Sequence, residues 1–322
     1  MLFRSAVSRG AFSVSDNGTL VYGSVENLVT QLIWLDRSGT VLRNVGGSGS
    51  YNSPSLSPDE RTIVAERFNP EAQSQGLWFI DTARDVATRF TSSPNFDRGP
   101  VWSPDGTRIV YQSPRDTNYF YQKTVNGAGG EEVLFKSTLS KFPSDWSREG
   151  RFLVYSTLDP NTQWDVWLLP MSGAQADREP VPLIQGPFNE LDGHVSPDGH
   201  WLAYVSDESG TNEVYVGTFP EPGAKQRIST SGGSGPKWRG DGRELFYLAA
   251  DERLMAVSVK PGVAFEASAP EALFKTRILQ DRDYNPNYTV TRDGQRFLIN
   301  TVTEEHAVPT TIVLNWPAAL RR

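Results

Sequence analysis

Hydrophobic and polar positions alternate in short runs along the whole chain, and turn-forming residues separate the runs. The clearest case is 99–112, GPVWSPDGTRIVYQ, in which an apolar run ends at Trp102 and an alternating run follows at 107–111. Between them stands the tetrapeptide SPDG at 103–106, where Pro presets φ, Asp can bond to nearby backbone, and Gly tolerates a positive φ. The pattern therefore predicts a β-hairpin with this tetrapeptide at its tip.

Relatives of this tetrapeptide recur from one end of the chain to the other. Their first residues are Ser15, Ser57, Ser103, Ser147, Ser196, Arg239 and Thr291. The spacing runs from 42 residues, between 15 and 57, to 52 residues, between 239 and 291. The residue before each turn is apolar: Val14, Leu56, Trp102, Trp146, Val195, Trp238 and Val290. A period in the forties with four strand-like segments is typical of a β-propeller blade.

Seven such units predict an all-β fold, a single seven-bladed β-propeller of four-stranded antiparallel blades that spans residues 1–322. We expect the blades at about 10–46, 51–91, 97–136, 141–185, 190–230, 234–275 and 285–316. In the first blade, we expect strand 19–23 to lie beside strand 31–35. The last unit lacks its outer strand, which we expect 2–7 to supply by pairing with 310–316, because an open ring would expose strand edges. The alternative is a ring that closes without these residues.

Composition excludes several classes of function. The formal net charge is −7 and the pI is about 5.2, which disfavours a nucleic-acid binder, since that would need a basic face. The chain has no cysteine, so disulfides and cysteine–zinc sites are excluded. No apolar run is long enough to insert into a membrane. Arg4 and Arg9 interrupt the start where a signal peptide needs apolar residues, which predicts a cytoplasmic chain or a fragment of a longer protein. We expect a monomer.

Several runs carry a family resemblance. They are the Trp-SPDG turn, KFPSDWSREGRFLVYS, SPDGHWLAYVSDESGTNEVYV, WRGDGRELFYL, and the ending DGQRFLINT with VLNWPAAL. These runs resemble the WD40-like, Tol-type β-propellers and, more narrowly, the propeller C-terminal to bacterial membrane-anchored serine/threonine protein kinases. The resemblance implies a sensor or scaffold module on the extracytoplasmic (periplasmic) side, as a fragment of a membrane-anchored protein. The kinase motifs G-x-G-x-x-G-x-V, H-R-D and D-F-G are absent, so the resemblance does not imply kinase activity.

Two places in the sequence have the composition of a cation site. Asp192 and His194 precede the fifth turn, but the chain has three histidines, too few for the histidine cluster of propeller lyases. Asp281 and Asp283 open a D-x-D-x-N calcium pattern, yet Pro286 stands where that loop needs glycine. The favoured interpretation of both is an ordinary polar segment with no cofactor. A channel-bound cation such as calcium is the alternative.

The motifs favour binding over catalysis. The run Gly232-Gly233-Ser234 lacks the final glycine of G-x-S-x-G, because Pro236 occupies its place, so no nucleophile elbow is present. We therefore predict a non-catalytic recognition, sensor or scaffold propeller that binds a polar ligand or a protein partner at the channel mouth. A channel-based lyase or glycosidase of acidic sugars remains the alternative, since propellers host binding and catalysis alike.

The sequence also predicts where a ligand binds. Loops that lead into the innermost strands of a propeller converge at one mouth of its channel. Residues five to six positions before each turn have no turn or core duty and carry charges of both signs, so they are suited to bind a polar molecule, an ion or a peptide tail. The alternative is that they are solvated loop residues. The predicted rim consists of Tyr51, Asp97, Arg98, Lys141, Glu190 and Asn285.

Overall fold

The computed structural model describes residues 11–15, 19–23, 29–69, 72–92, 96–116, 119–127, 129–175, 178–262, 264–278, 287–303 and 310–314. Its strands are β1 (Ala11–Val14), β2 (Thr19–Gly23), β3 (Thr30–Asp36), β4 (Val41–Leu56), β5 (Thr62–Asn69), β6 (Ser74–Asp81), β7 (Ala87–Arg89), β8 (Arg98–Trp102), β9 (Arg108–Ser113), β10 (Tyr119–Thr124), β11 (Glu132–Phe135), β12 (Lys141–Trp146), β13 (Phe152–Asp159), β14 (Gln163–Pro170), β15 (Val181–Ile184), β16 (Glu190–Val195), β17 (Trp201–Ser206), β18 (Glu213–Thr218), β19 (Lys225–Arg227), β20 (Gly233–Trp238), β21 (Glu244–Ala249), β22 (Arg253–Lys260), β23 (Glu266–Ala267), β24 (Glu271–Lys275), β25 (Tyr288–Val290), β26 (Arg296–Val302) and β27 (Thr310–Leu314). A short 3-10 helix covers Pro114–Asp116. Among these residues, no helix is long and apolar enough to cross a membrane.

Most of these strands form antiparallel sheets of four, which are the blades of a β-propeller. Blades 3, 4 and 5 are β8–β11, β12–β15 and β16–β19, and blade 6 is β20, β21, β22 and β24. A seven-stranded sheet contains two further blades that share β4. Its first part, 41–49, pairs with β3 and completes blade 1 with β25 and β26, whereas 50–56 pairs with β5 and begins blade 2.

Apolar side chains hold the blades together. Strand residues of each blade pack against those of the next in six hydrophobic clusters, one for each neighbouring pair of blades. Trp34 of blade 1 and Ile63 of blade 2 are in the same cluster. Phe246 of blade 6 meets Phe297 of blade 1 with ring centroids 5.2 Å apart. Because blade 6 packs against blade 1, the blades of the described residues form a ring.

The described residues contain six four-stranded blades where the sequence pattern predicted seven. The first two predicted strands, β1 and β2, do not stand beside β3 but pair with each other and with β27 in a separate three-stranded sheet. Strand β3 pairs instead with β26, so the first and last repeat units together build blade 1. The turn motif therefore marks hairpins, and one of its seven copies belongs to a hairpin outside the six blades.

The expected pairing of 310–316 with 2–7 stays a prediction. Strand β27 pairs along one edge with β2 and is the last strand of its sheet among the described residues. Residues 2–7 lie outside the described residues. Both hydrogen-bonding edges of β3 are paired within blade 1, with β26 and β4. On one face of β3, Leu32 and Trp34 pack against blade 2, and on the other Leu35 packs against blade 6.

The turns have the predicted chemistry. At 103–106 the amide of Gly106 donates to the carbonyl of Ser103 at 2.8 Å, and Gly106 has a φ of 70°. The Ser103 hydroxyl donates to Asp105 at 2.6 Å. The equivalent hydroxyl–carboxylate bond recurs from Ser57 to Asp59 at 2.7 Å. The recurring Asp residues therefore stabilise turns, as the sequence indicated.

Candidate functional site

A cavity of about 360 Å³ lies where the inner strands of the six blades converge. Its wall consists of 53–56 from β4, 99–102 from β8, 143–146 from β12, Asp192, His194 and Val195 from β16, Lys237 and Trp238 from β20, and Thr289 and Val290 from β25. The cavity continues to the turn end of the channel, where Pro58, Pro104 and Pro197 line it. It is a concave site with both apolar and polar groups, as ligand sites in proteins usually are.

β-Bulges shape this wall. The register of five inner strands shifts beside the cavity, between Asn52 and Ser55, Arg98 and Val101, Pro143 and Asp145, Leu191 and His194, and Ser234 and Lys237. In β16 the bulge places Asp192 at a φ of 53°. Gly193 lies so close to the preceding blade that a Cβ there would be 3.0 Å from a methyl group of Val154. Bulges turn side chains out of the regular alternation, so they direct polar residues into the channel.

Four polar residues from three neighbouring blades meet in the cavity. His194 Nε2 lies 2.9 Å from Asp192 Oδ1 and 2.7 Å from Lys237 Nζ. His194 Nδ1 is 4.0 Å from Asp145 Oδ2, which accepts a hydrogen bond from the amide of Val195 at 2.8 Å. The cluster of Asp145, Asp192, His194 and Lys237, which we call the polar cluster, therefore joins blades 4, 5 and 6.

The polar cluster has unused hydrogen-bonding capacity. A single imidazole nitrogen either carries a proton or offers a lone pair, so Nε2 of His194 cannot at once donate to Asp192 and accept from Lys237. Asp192 Oδ2 is buried and has no hydrogen-bond partner among the described protein groups. Burial lowers the pKa of Lys237, although the carboxylates of Asp192 and Asp145 oppose that shift. A ligand that donates to Asp192 or accepts from Lys237 would complete these bonds.

Two arginines stand at the turn end of the cavity. Arg148 of blade 4 donates to the carbonyl of Gly240 in blade 6 at 3.2 Å, so its side chain reaches past blade 5. Arg292 of blade 1 donates to the carbonyl of Pro58 at 3.4 Å, and its own carbonyl accepts from the amide of Gly240 at 3.0 Å. Glu60 accepts from the amide of Arg292. Both side chains are exposed and line the cavity.

The predicted metal candidates Asp192 and His194 lie together in the channel, where Nζ of Lys237 is 2.7 Å from Nε2 of His194. The described residues contain no group of three His, Asp or Glu side chains placed to hold a metal ion. Asp281 and Asp283 lie outside the described residues.

The structure buries Tyr51 and Asp97, two members of the predicted rim, inside the ring. The hydroxyl of Tyr51 donates to the carbonyl of Gly46 at 2.6 Å, and burial raises its pKa. Asp97 is fully buried with Arg115 at 3.7 Å. Burial raises the pKa of Asp97 and outweighs the opposing effect of nearby hydroxyls and of Arg115. Arg98 is half-buried, with its guanidinium 5.5 Å from the centre of a phenylalanine ring.

Lys141 and Glu190 of the predicted rim are buried as well. Lys141 Nζ donates to the carbonyls of Ser137 and Leu139 at 3.2 and 3.4 Å, and burial lowers its pKa to about 8. Glu190 accepts from the hydroxyl of Ser206 at 3.4 Å, and burial, with a smaller effect of a neighbouring carboxylate, raises its pKa to about 7.

The described members of the predicted rim and the observed cavity do not coincide. The described residues that line the cavity include none of Tyr51, Asp97, Arg98, Lys141 and Glu190. The sixth predicted residue, Asn285, lies outside the described residues. The cavity is instead lined by residues one to four positions before each turn, together with turn residues. Sequence reasoning assigned Lys237 and Asp145 no role, because a strand alternation without bulges does not show that they face the channel. The signal in the sequence that could have identified Lys237 and Asp145 was their charge, because each stands in a strand with few other charged residues.

Comparisons with known proteins agree on the fold. No family model matches the chain. The chain is 22% identical over 210 residues to an uncharacterised protein of Agrobacterium fabrum. The matched region covers 61% of this chain and 69% of that protein. The structure of this chain resembles that of a protein assigned as a TolB of Agrobacterium tumefaciens, with a TM-score of 0.69, 17% identity, and coverage of 86% of this chain and 99% of that chain.

An enzyme is also among the similar structures. An oligogalacturonate lyase in complex with manganese has a TM-score of 0.55 and 11% identity, over 96% of this chain and 82% of that chain. At such identities a likeness establishes the fold alone, which is a TolB-like β-propeller. The narrower resemblance to kinase-attached propellers stays a prediction.

Proposed function

We propose that this chain is a non-catalytic recognition propeller that binds an extended segment of a protein partner in its central cavity. The observation that carries the proposal is the polar cluster, because buried Asp192 and half-buried Lys237 face a common space with hydrogen-bonding capacity that the protein itself does not use. Buried polar groups are nearly always satisfied, so an incomplete set in a cavity favours a ligand.

The mixed character of the wall favours a peptide. Trp102, Trp146 and Pro58 provide apolar surface beside the charged groups. Side chains of a peptide alternate in direction and carry donors and acceptors on the backbone, so one segment can satisfy both kinds of surface. Aromatic residues and arginine are also enriched at the centres of protein interfaces.

One earlier expectation, the location, is part of the proposal, and another, the predicted rim, is not. We propose an extracytoplasmic location, which rests on the resemblance to propellers attached outside the membrane. The predicted rim around Arg98 and Asn285 stays a prediction, and the burial of its other described members favours structural roles for them.

The test is a peptide selection with matched variants. Random peptides displayed on phage are selected on the wild-type protein, and recovered peptides are titrated against Thr289→Trp, which fills the cavity, and Thr211→Trp, an exposed control. We expect binding to be lost in the first variant and kept in the second. Peptides that bind both variants as tightly as the wild type would refute the proposal.

A lyase acting on acidic sugars is the second candidate, favoured by the amine of Lys237 beside His194 in a channel. A basic nitrogen there would take the proton that β-elimination removes from a uronic acid residue. Incubation with oligogalacturonate, with and without manganese, tests this: new unsaturated product that Lys237→Met abolishes would establish the lyase, and its absence from both reactions would exclude it for this substrate.

A further inference from the structure

Arg148 and Arg292 have most of their hydrogen-bonding groups free. A guanidinium has five N–H donors. Each of these two uses one on a main-chain carbonyl, that of Gly240 or that of Pro58. Neither forms an ion pair with any carboxylate in the part of the chain that the structure describes, although both are exposed beside the cavity.

Three other arginines at this end of the propeller are paired with acids. Arg37 and Arg239 both bind Glu244, at 2.9 Å each, and Arg239 also binds Asp241 at 2.7 Å. Arg296 lies 3.7 Å from Glu60. Arg148 and Arg292 line the cavity without such a partner among the described residues, whereas Arg37, Arg239 and Arg296, which do not line it, have one.

Among the described residues that line the cavity, two of the three acids each accept a main-chain hydrogen bond. Glu60 bonds the amide of Arg292 and lies close to Arg296, and Asp145 accepts the amide of Val195. The carboxylate oxygen without a partner, Oδ2 of Asp192, belongs to the polar cluster and is buried. The guanidiniums of Arg148 and Arg292 therefore offer N–H donors at the mouth that no described carboxylate uses.

We infer that the bound segment is acidic, with an Asp or Glu carboxylate that Arg148 and Arg292 hold at the cavity mouth. The inference rests on the proposed function and gives the partner its chemistry. Arginine binds carboxylates through two parallel N–H bonds, and the two guanidiniums flank Gly240, one through its side-chain bond and the other through its backbone. The whole chain has a net charge of −7, which does not attract an acidic peptide from a distance. The preference for an acidic peptide therefore depends on short-range contacts with the two arginines.

The test compares three capped peptides of equal length, tri-aspartate, tri-asparagine and tri-lysine, by isothermal titration calorimetry. We expect tri-aspartate to bind the wild type at least about tenfold more tightly than tri-asparagine, which is the usual effect of hydrogen bonds to a charged group. Arg148→Gln and Arg292→Gln should each remove most of that difference. Arg253→Gln, an exposed arginine away from the cavity, should leave it unchanged.

Equal binding of the three peptides, a preference for tri-lysine, no measurable binding of tri-aspartate, or an unchanged preference in both cavity variants would overturn the inference. Any of these results would leave the proposed function intact if peptides selected from the library bind the wild type but not Thr289→Trp. If those peptides bind Thr289→Trp as tightly as the wild type, the proposed function itself fails.

Discussion

A single carboxylate oxygen organises the turn at 103–106. Oδ1 of Asp105 accepts hydrogen bonds from the Ser103 hydroxyl at 2.6 Å, the Thr107 amide at 3.0 Å and the Thr107 hydroxyl at 2.8 Å. The bond from Ser103 contributes most to lowering the pKa of Asp105 to about 2. The charged carboxylate is thus part of the folded turn.

Replacing Asp105 by Ala removes these bonds, and we expect the free energy of unfolding to fall by about 1 to 2 kcal/mol at pH 7. Because folding lowers this pKa, the contribution is present above the ordinary value near 4 and is lost as the pH falls through about 2. Urea unfolding should therefore show a smaller difference at pH 3 than at pH 7. Asp105→Asn is the control that keeps an acceptor oxygen, and an equal difference at both pH values would contradict the role of the charge.

Glu190 should affect the pH dependence of stability in the opposite direction. Its pKa is raised to about 7 by burial, so the folded protein binds a proton that the unfolded chain has lost above its ordinary pKa of about 4.3. Stability is consequently lost as the pH rises from about 4.3 to about 7. We expect Glu190→Gln to raise the free energy of unfolding by about 1 to 3 kcal/mol at pH 8 and to have little effect at pH 4. Thermal melts at both pH values measure this, and a stabilisation that is the same at pH 4 and pH 8 would contradict it.

At the residue scale the sequence predicted the turn chemistry well, but it did not predict the burial of the charged residues Lys141 and Glu190. The bonds of Asp105 are local, so four adjacent residues contain the information. The environment of Lys141 and Glu190 depends on how strands from different blades pack, and a charge in a predicted loop does not show that it is buried.

At the scale of the element, β3 decides how the ring closes. It pairs with β26 along its whole length, with Ile33 opposite Ile299, although 266 residues separate them. Its other edge pairs with β4. The sequence pattern predicted a strand at 31–35, which lies within β3. It did not predict this pairing, because turn motifs carry no information about which distant strand is the neighbour.

Cysteine pairs test the closure directly, since the chain has no cysteine of its own. Paired Cα atoms in antiparallel strands are close enough for a disulfide. We expect Ile33→Cys with Ile299→Cys to form the bond on mild oxidation, seen as altered mobility on a non-reducing gel. Ile33→Cys with Val21→Cys tests the arrangement that the repeat predicted, and should keep free thiols. A bond in the second pair but not in the first would contradict the observed ring.

At the scale of the whole molecule, the ring brings together residues that are far apart in sequence. The propeller class was predictable because the repeat, the turns and the apolar positions all indicate it. The cavity was not, because it depends on bulges in β12, β16 and β20 that shift Asp145, His194 and Lys237 out of simple alternation. The channel as the binding site stays a prediction.

Hydrogen-exchange mass spectrometry on a saturated complex with a library-selected peptide tests the central claim most directly. A segment in the cavity should protect 143–146, 192–195 and 237–240, from three blades, at the same time. The outer strands β7 and β19 should be unchanged. Protection confined to the outer strands, or no protection in the three inner segments, would contradict the account.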